Sequence, residues 1–295
     1  MLKSVYLPLL SSSEGFCRHR SRSDQFPLGA EFMPIPLLII VPTLNSHRLL
    51  PRLVISLQGQ SWSHWRLIFI DGPSGAEHRE WLEHFCAAEP RCRWLEQSPA
   101  EPGIFGAMNQ GFAEAAPNDW IVFLGSDDWL AGPNVLADAF DSIEASSPLP
   151  DLLVCRGRYF DAAQGALTRF TVFSSTGLLT TTAYRRALLL GSTPPHQATF
   201  IGPGAWHLLS RYASGFHLSA DLDFFLQLSR QPGLRLQCLD LELVHMADDG
   251  VSGQQVQRRL QEVRRAYRRA FGWYWWFPFL MRYLRRAASL LACSR

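Results

Sequence analysis

Two adjacent acids, Asp127 and Asp128, follow the apolar run Trp120-Ile121-Val122-Phe123-Leu124 and the breaker Gly125-Ser126. An unalternated apolar run of that length suits a strand covered on both faces, and the carboxyl ends of such strands are where open α/β sheets bind ligands. Neighbouring carboxylates repel unless a cation or hydrogen-bond donors neutralise them. A hard divalent ion, Mg²⁺ or Mn²⁺, takes one or two carboxylates and completes its shell with phosphate oxygens and water, so this corner suits a nucleotide pyrophosphate. The competing reading is that one of the two acids caps the helix expected after Pro133. Three further positions could do chemistry. Asp71 closes the run Trp65–Ile70, Asp221 and Asp223 stand at a helix start behind Ser219, and His245 ends the run Leu234–Val244. Each has a plainer alternative: an Asx turn for Asp71, a helix cap for Asp221 and an ordinary buried histidine for His245.

The elements needed to position these residues can be read from the apolar pattern. Leu37–Val41, Trp65–Ile70, Arg93–Leu95 and Trp120–Leu124 read as strands. They are separated by helical periodicities at Leu49–Leu57, around Trp81–Phe85 and at Phe105–Ala115. This β-α-β-α-β-α-β alternation predicts a mostly parallel, doubly wound sheet with helices on both faces. After a helix over Val135–Ile143 the pattern becomes less regular. Leu152–Tyr159 and Thr168–Phe173 read as a hairpin around Asp161–Gly165, and Leu234–Val244 as a further strand.

At 295 residues, 47% hydrophobic and 18% charged, the chain has the composition of a globular protein with a sizeable core. The formal charge of +2 conceals an asymmetry, because arginines crowd residues 254–295 beside a single acid, Glu262. The six cysteines include no C-x-x-C pair, which argues against a zinc site or a disulfide framework and for a reducing, cytoplasmic setting. Residues 1–32 mix serine, arginine and isolated apolar residues without period and read as a disordered leader, with Met33 an alternative start.

In order along the chain, several blocks resemble the family 2 glycosyltransferases. They are Ile39-Ile40-Val41-Pro42-Thr43-Leu44-Asn45, Ile70-Asp71-Gly72-Pro73-Ser74 and Gly103-Ile104-Phe105-Gly106-Ala107-Met108-Asn109-Gln110-Gly111, then Phe123 to Asp128. His196-Gln197-Ala198-Thr199-Phe200, Ala220–Asp223 and Gly250-Val251-Ser252 match later blocks. The resemblance spans about Ile35 to Ser252. It implies a GT-A fold with a Rossmann-like central sheet over residues 33–253, and inverting transfer of a sugar from a nucleotide diphosphate sugar to a hydroxyl acceptor. It further implies that Pro42, Thr43, Asn45, Asp71, Asn109 and Asp127 bind the donor, that Asp127 and Asp128 hold Mn²⁺ or Mg²⁺ with His245 as an extra contact, and that Asp221 is the general base. Asp223, about 200° further round the helix, should then be the more tolerant of the two acids.

The sequence departs from the family pattern at Gly106, where an acid is usual, at Gly125, in place of the first acid or Asn of the Asp-x-Asp frame, and at Ser74-Gly75-Ala76. A catalytically degenerate sugar-nucleotide or glycan-binding member of the same fold is therefore the alternative. Residues 254–295 place Val256, Leu260, Val263, Tyr267 and Phe271 on one helical stripe, with Gly272 as its end and Trp273–Met281 as an aromatic run flanked by arginine. This tail reads as an amphipathic anchor at a membrane interface, with a helix packed on the catalytic domain and a nucleic-acid patch as alternatives. An interfacial anchor fits a lipid-linked glycan acceptor, polysaccharide or glycolipid assembly and no nucleic-acid partner.

Overall fold

The computed structural model describes residues 35–171, 173, 176–248 and 255–293, without the side chains of residues 286 and 288–293. The expected leader, the Met33 start and the Gly250–Ser252 block lie outside the described residues.

The chain alternates β1 (Leu37–Thr43), α1 (Leu50–Gln58), β2 (Trp65–Asp71), α2 (Ala76–Ala88), β3 (Cys92–Glu96), α3 (Ile104–Phe112) and β4 (Trp120–Phe123). Four parallel strands in the order β3-β2-β1-β4 result, because the chain winds outward from β1 and then crosses back to its other side. The reversal sets the carboxyl ends of β1 and β4 side by side, which is the topological switch point of an open α/β sheet.

Beyond β4 come β5 (Trp129–Leu130), α4 (Val135–Glu144), β6 (Leu152–Asp161), β7 (Ala166–Phe170), β8 (Gly177–Thr180), α5 (Thr181–Leu189), β9 (Thr199–Ile201) and α6 (Pro203–Trp206). They are followed by α7 (Ala220–Leu228), β10 (Arg235–Ala247), α8 (Val256–Phe271) and α9 (Trp276–Cys293). The sheet continues β4-β9-β6-β10-β5, and only β9 and β5 run against the rest of this path. β6 and β7 form the expected hairpin, and β8 adds to β10.

Both faces of the sheet are buried, and β1 shows why its sequence does not alternate. Leu38 and Ile40 join a core with α3, α5, α7 and α8, while Leu37, Ile39 and Val41 join a second core with α1, α2 and α4. Gly111 lets α3 lie directly on β1: a Cβ there would come within 2.3 Å of Ile40 Cγ2.

The tail differs from a free anchor. Val263, Ala266, Tyr267, Ala270 and Phe271 of α8 are buried in the same core as Leu38 and Ile40, so the C-terminal part of the expected stripe faces the core, while Val256 and Leu260 at its start are exposed. Residues 34–295 accordingly form one compact unit. The backbone of α9 presses on Gly191, where a Cβ would meet Arg282 N at 2.3 Å, and Arg282 hydrogen-bonds Thr193. Among the described residues no helix is long and apolar enough to cross a membrane.

Candidate active site

At the end of β2, Asp71 lies opposite Thr43 in the parallel register and is buried. Its Oδ1 accepts from Thr43 Oγ1 at 2.9 Å and Ser74 Oγ at 2.7 Å, with His78 Nε2 at 3.0 Å. Its Oδ2 is buried without a hydrogen-bond partner among the described residues, with only the longer ion-pair contact of Arg79 Nε at 3.9 Å. Burial outweighs the pull of Asp71 and holds His78 below its ordinary pKa, so its ring is neutral at pH 7.

Asn45 adopts φ 50, a left-handed conformation its short amide tolerates, and uses its groups to join two loops. Its N–H donates to Ser74 Oγ at 2.9 Å and its Oδ1 accepts from Gly75 N–H at 2.8 Å. Asn45 thus shapes the pocket edge, and Ser74 serves both Asp71 and Asn45 in the loop that lacks the usual family polar residues.

Across the switch point, β4 ends in a tight turn. Ser126 Oγ donates to Pro42 O at 3.0 Å and meets Ser46 Oγ at 3.0 Å, tying this turn to the loop after β1. Asp128 bends back so that Oδ2 accepts from Gly125 N–H at 2.6 Å. Helix α4 begins beyond it with Asn134 at its N-cap, so neither acid caps that helix. A Cβ on Gly125 would sit 2.7 Å from Asp127 Oδ1 and 3.1 Å from Asp128 Oδ2. Both carboxylates therefore converge over Gly125, in the space that a side chain would fill. Burial first, and then the charge of Asp127, push the Asp128 carboxyl up to about 7.

Two converging carboxylates, one reluctant to ionise alone, fit a hard divalent cation that takes most of its shell from phosphate and water. Among the described residues no group of three or more His, Cys, Asp or Glu side chains could hold a metal by itself. His245 pairs with Trp129 across the β10–β5 ladder, one residue from Asp128, and packs its ring edge-on against that indole. Its Nε2 lies 2.8 Å from Glu242 Oε1 and its Nδ1 is buried without a partner among the described residues. The strand register thus brings it to the acid corner without making it a third ligand.

The sequence reading missed Arg52. Its guanidinium stacks 3.5 Å above Trp129, donates to Asp127 O at 3.2 Å and faces the charges of Asp127 and Asp128. It stands in α1 with nothing in the local sequence to mark it.

On the other side of β4, α7 begins behind Ser219, whose side chain makes no cap. Asp221, in the first turn, has no hydrogen-bond or ion-pair partner among the described residues. It faces His196 and Tyr212, whose Nε2 and Oη are 2.6 Å apart, and its charge opposes the burial that depresses His196. His196 stacks on Phe123 with centroids 5.3 Å apart, which locks this corner to the end of β4. Asp223, by contrast, is buried and paired with Arg269 of α8.

Asn109 departs from its expected donor contact. Its Nδ2 donates to Glu101 Oε2 at 3.1 Å and Tyr212 O at 3.2 Å, and its Oδ1 accepts from Tyr212 N–H at 2.7 Å. Its amide braces the Tyr212 loop beside Asp221. The absent acid at Gly106 has a steric cause, because a Cβ there would fall 1.8 Å from Glu101 O. Glu262 of α8 was also missed: its carboxylate accepts from His217, Leu218 and Ser219 N–H at 3.0, 2.8 and 3.0 Å and caps α7 from outside.

At the switch point of this doubly wound sheet lie the buried Asp71 and the acid turn, with Asp221 beyond them. Residues 38–169 match the family described as "Glycosyl transferase family 2". The chain is 29% identical over 196 residues to a PGL/p-HBAD biosynthesis glycosyltransferase of Mycobacterium bovis, covering 66% of this chain and 70% of the relative. It is 34% identical over 100 residues to an uncharacterized glycosyltransferase of Haemophilus influenzae, covering 34% of this chain and 39% of the relative. Its fold resembles Staphylococcus aureus TarS solved with UDP-GlcNAc, with a TM-score of 0.61 at 16% identity over 80% of this chain and 67% of that one. It also resembles a mannosyltransferase of Pyrobaculum calidifontis solved with GDP-Man and Mn²⁺, with a TM-score of 0.57 at 13% identity over 81% of this chain and 65% of that one. Residues 38–169 are thus similar to the family 2 glycosyltransferases, and the chain has a GT-A fold.

Proposed function

We propose that the protein transfers a sugar, with inversion, from a nucleoside diphosphate sugar to a hydroxyl of a glycan or lipid-linked glycan, in polysaccharide or glycolipid assembly. Asp71 Oδ2 accepts hydrogen bonds from the base, and Pro42, Thr43 and Asn45 shape the rim of that pocket. Asp127 and Asp128 hold Mn²⁺ or Mg²⁺, which, when bound, neutralises charge on the diphosphate leaving group. The acceptor hydroxyl gives its proton to Asp221 as its oxygen attacks the anomeric carbon from the side opposite the diphosphate, and that geometry inverts the centre. The ligands in the two structural relatives and the biosynthetic name of the mycobacterial one support this reading.

The observation that carries the proposal is the division of labour in α7, where Asp223 is spent on Arg269 and Asp221 is unspent. Asp221→Asn should retain nucleotide affinity by calorimetry and lose turnover by roughly 10²–10⁴-fold. Near-normal turnover would remove Asp221 as the base. A glycan-binding member without catalysis would bind nucleotide and turn over no donor from a Mn²⁺-supplemented panel of nucleotide sugars.

The exposed residues Trp276, Leu280 and Leu284 recur at i, i+4 and i+8 along the start of α9, and Trp273 is exposed in the turn that leads into it. This stripe, beside the arginines of α8, supports a peripheral contact with the cytoplasmic face of a membrane. The packed part of the tail and the exposed part thus do different things.

A further inference from the structure

Away from the acid turn, a cavity of about 550 Å³ opens between α5, the end of α7 and the end of α8. Arg185, Arg186 and Arg230 line it together with an apolar wall of Leu189, Phe271 and Tyr274. No Asp or Glu lines it, and among the described residues none of the three guanidiniums has a carboxylate partner. Two of them are fixed by the end of α8. Arg185 donates to Ala270 O at 3.3 Å and stacks on Phe271, while Arg230 donates to Arg269 O at 3.3 Å. Three cations held around an open space, with no anion among them, are complementary to a phosphate.

The apolar wall gives the second half of the ligand. Phe271 and Tyr274 flank Trp273 in the chain, and Trp273 is 84% exposed in the turn that leads into α9. A phosphate seated among the arginines would therefore leave anything apolar attached to it against Leu189, Phe271 and Tyr274, next in the chain to the exposed Trp273. The ligand chemistry is that of an amphiphile with an anionic head.

We propose that this cavity binds the phosphate headgroup of an anionic membrane lipid and so orients the enzyme on the bilayer. The proposal rests on the membrane contact of α9 and adds a headgroup-selective site to it. The cavity lies at Ser229–Arg230, past the end of α7 opposite to Asp221, so eight residues of chain set a phosphate here about 12 Å along the helix axis from Asp221.

The test compares flotation with phosphatidylcholine vesicles and with vesicles containing phosphatidylglycerol. Arg186→Gln/Arg230→Gln should lose most of the preference for the anionic vesicles, a weakening of roughly 10- to 30-fold. Trp273→Ala/Trp276→Ala should lose binding to both. If the tryptophan variant detaches while the arginine variant keeps its full preference, the headgroup site is wrong and the membrane contact stands. Monomeric dihexanoylphosphatidylglycerol supplies a readout that needs no bilayer. It should raise the melting temperature of the parent protein and leave that of the arginine variant unmoved, each variant first being shown to melt near the parent without lipid. No rise in the parent, an equal rise in both proteins, or the same rise with inorganic phosphate alone overturns the proposal.

Discussion

Asp128 is the residue whose charge the fold controls most directly. Its carboxyl is pushed up to about 7 by burial and by Asp127, against about 4 in an unfolded chain. Between pH 4 and pH 7 the native state holds this proton and the unfolded chain does not, so the metal-free protein loses stability as pH rises through that window. Above pH 7 the loss is complete. The melting temperature of EDTA-treated parent protein, relative to that of Asp128→Asn, should therefore fall from pH 5 to pH 8, and the variant should have lost transfer. Asp223, raised by burial, and His78 and His196, depressed by it and of opposite slope, contribute alike to both proteins, so the difference between them reports the Asp128 site. Parallel profiles would mean that Asp128 is already ionised in the metal-free fold. The sequence reading expected Asp223→Asn to be mild, and the ion pair with Arg269 corrects the reason. That substitution should cost stability, about 1–3 kcal/mol given the partial exposure of Arg269, and spare the chemistry.

Among the elements, those that build the donor pocket were legible. Leu37–Val41, Trp65–Ile70 and Trp120–Leu124 are apolar on both faces, and such runs have one good solution, a strand inside a covered sheet. The acid turn followed from its place at the end of one of them. Arg52, Arg269 and Glu262 were not legible, because each acts on a segment far away in the chain and no local period marks a partner that distant. Asn109 was read as a donor contact because its motif suggests it, whereas its amide is used by Tyr212. The clamp of α8 on α7 is the clearest case: Glu262 closes three amides just before Asp221 and Arg269 fixes Asp223 just after it. Glu262→Ala leaves those amides unpaired, which should cost about 1–3 kcal/mol. It should also lower kcat with donor affinity kept, since the released loop leads into Asp221, the proposed base. Glu262→Gln, which still accepts, should be milder in both respects. A drop in melting temperature with unchanged kcat would make the clamp purely structural.

For the whole molecule, the question is whether residues 254–295 are an appendage or part of the enzyme. The basic, aromatic composition suggested an appendage, yet three of the five stripe residues are turned inward, while Val256 and Leu260 stay exposed. Val263, Tyr267 and Phe271 are 2%, 0% and 3% exposed and share a core with β1. Burying side chains of this size contributes about 1.5–3 kcal/mol each, so these three alone approach the roughly 5–15 kcal/mol by which a protein of ordinary stability is folded. Ending the chain after Gln255 should therefore give a protein without a cooperative urea transition and without near-ultraviolet dichroism. Ending it after Arg285, beyond the stripe and the contacts at Gly191, should leave both intact. If the shorter chain unfolds cooperatively near the parent midpoint, the catalytic domain ends before α8 and the tail is a separable anchor. If it does not, the helix that carries Glu262 and Arg269 belongs to the catalytic fold, and only the outer face of α9 remains for the membrane.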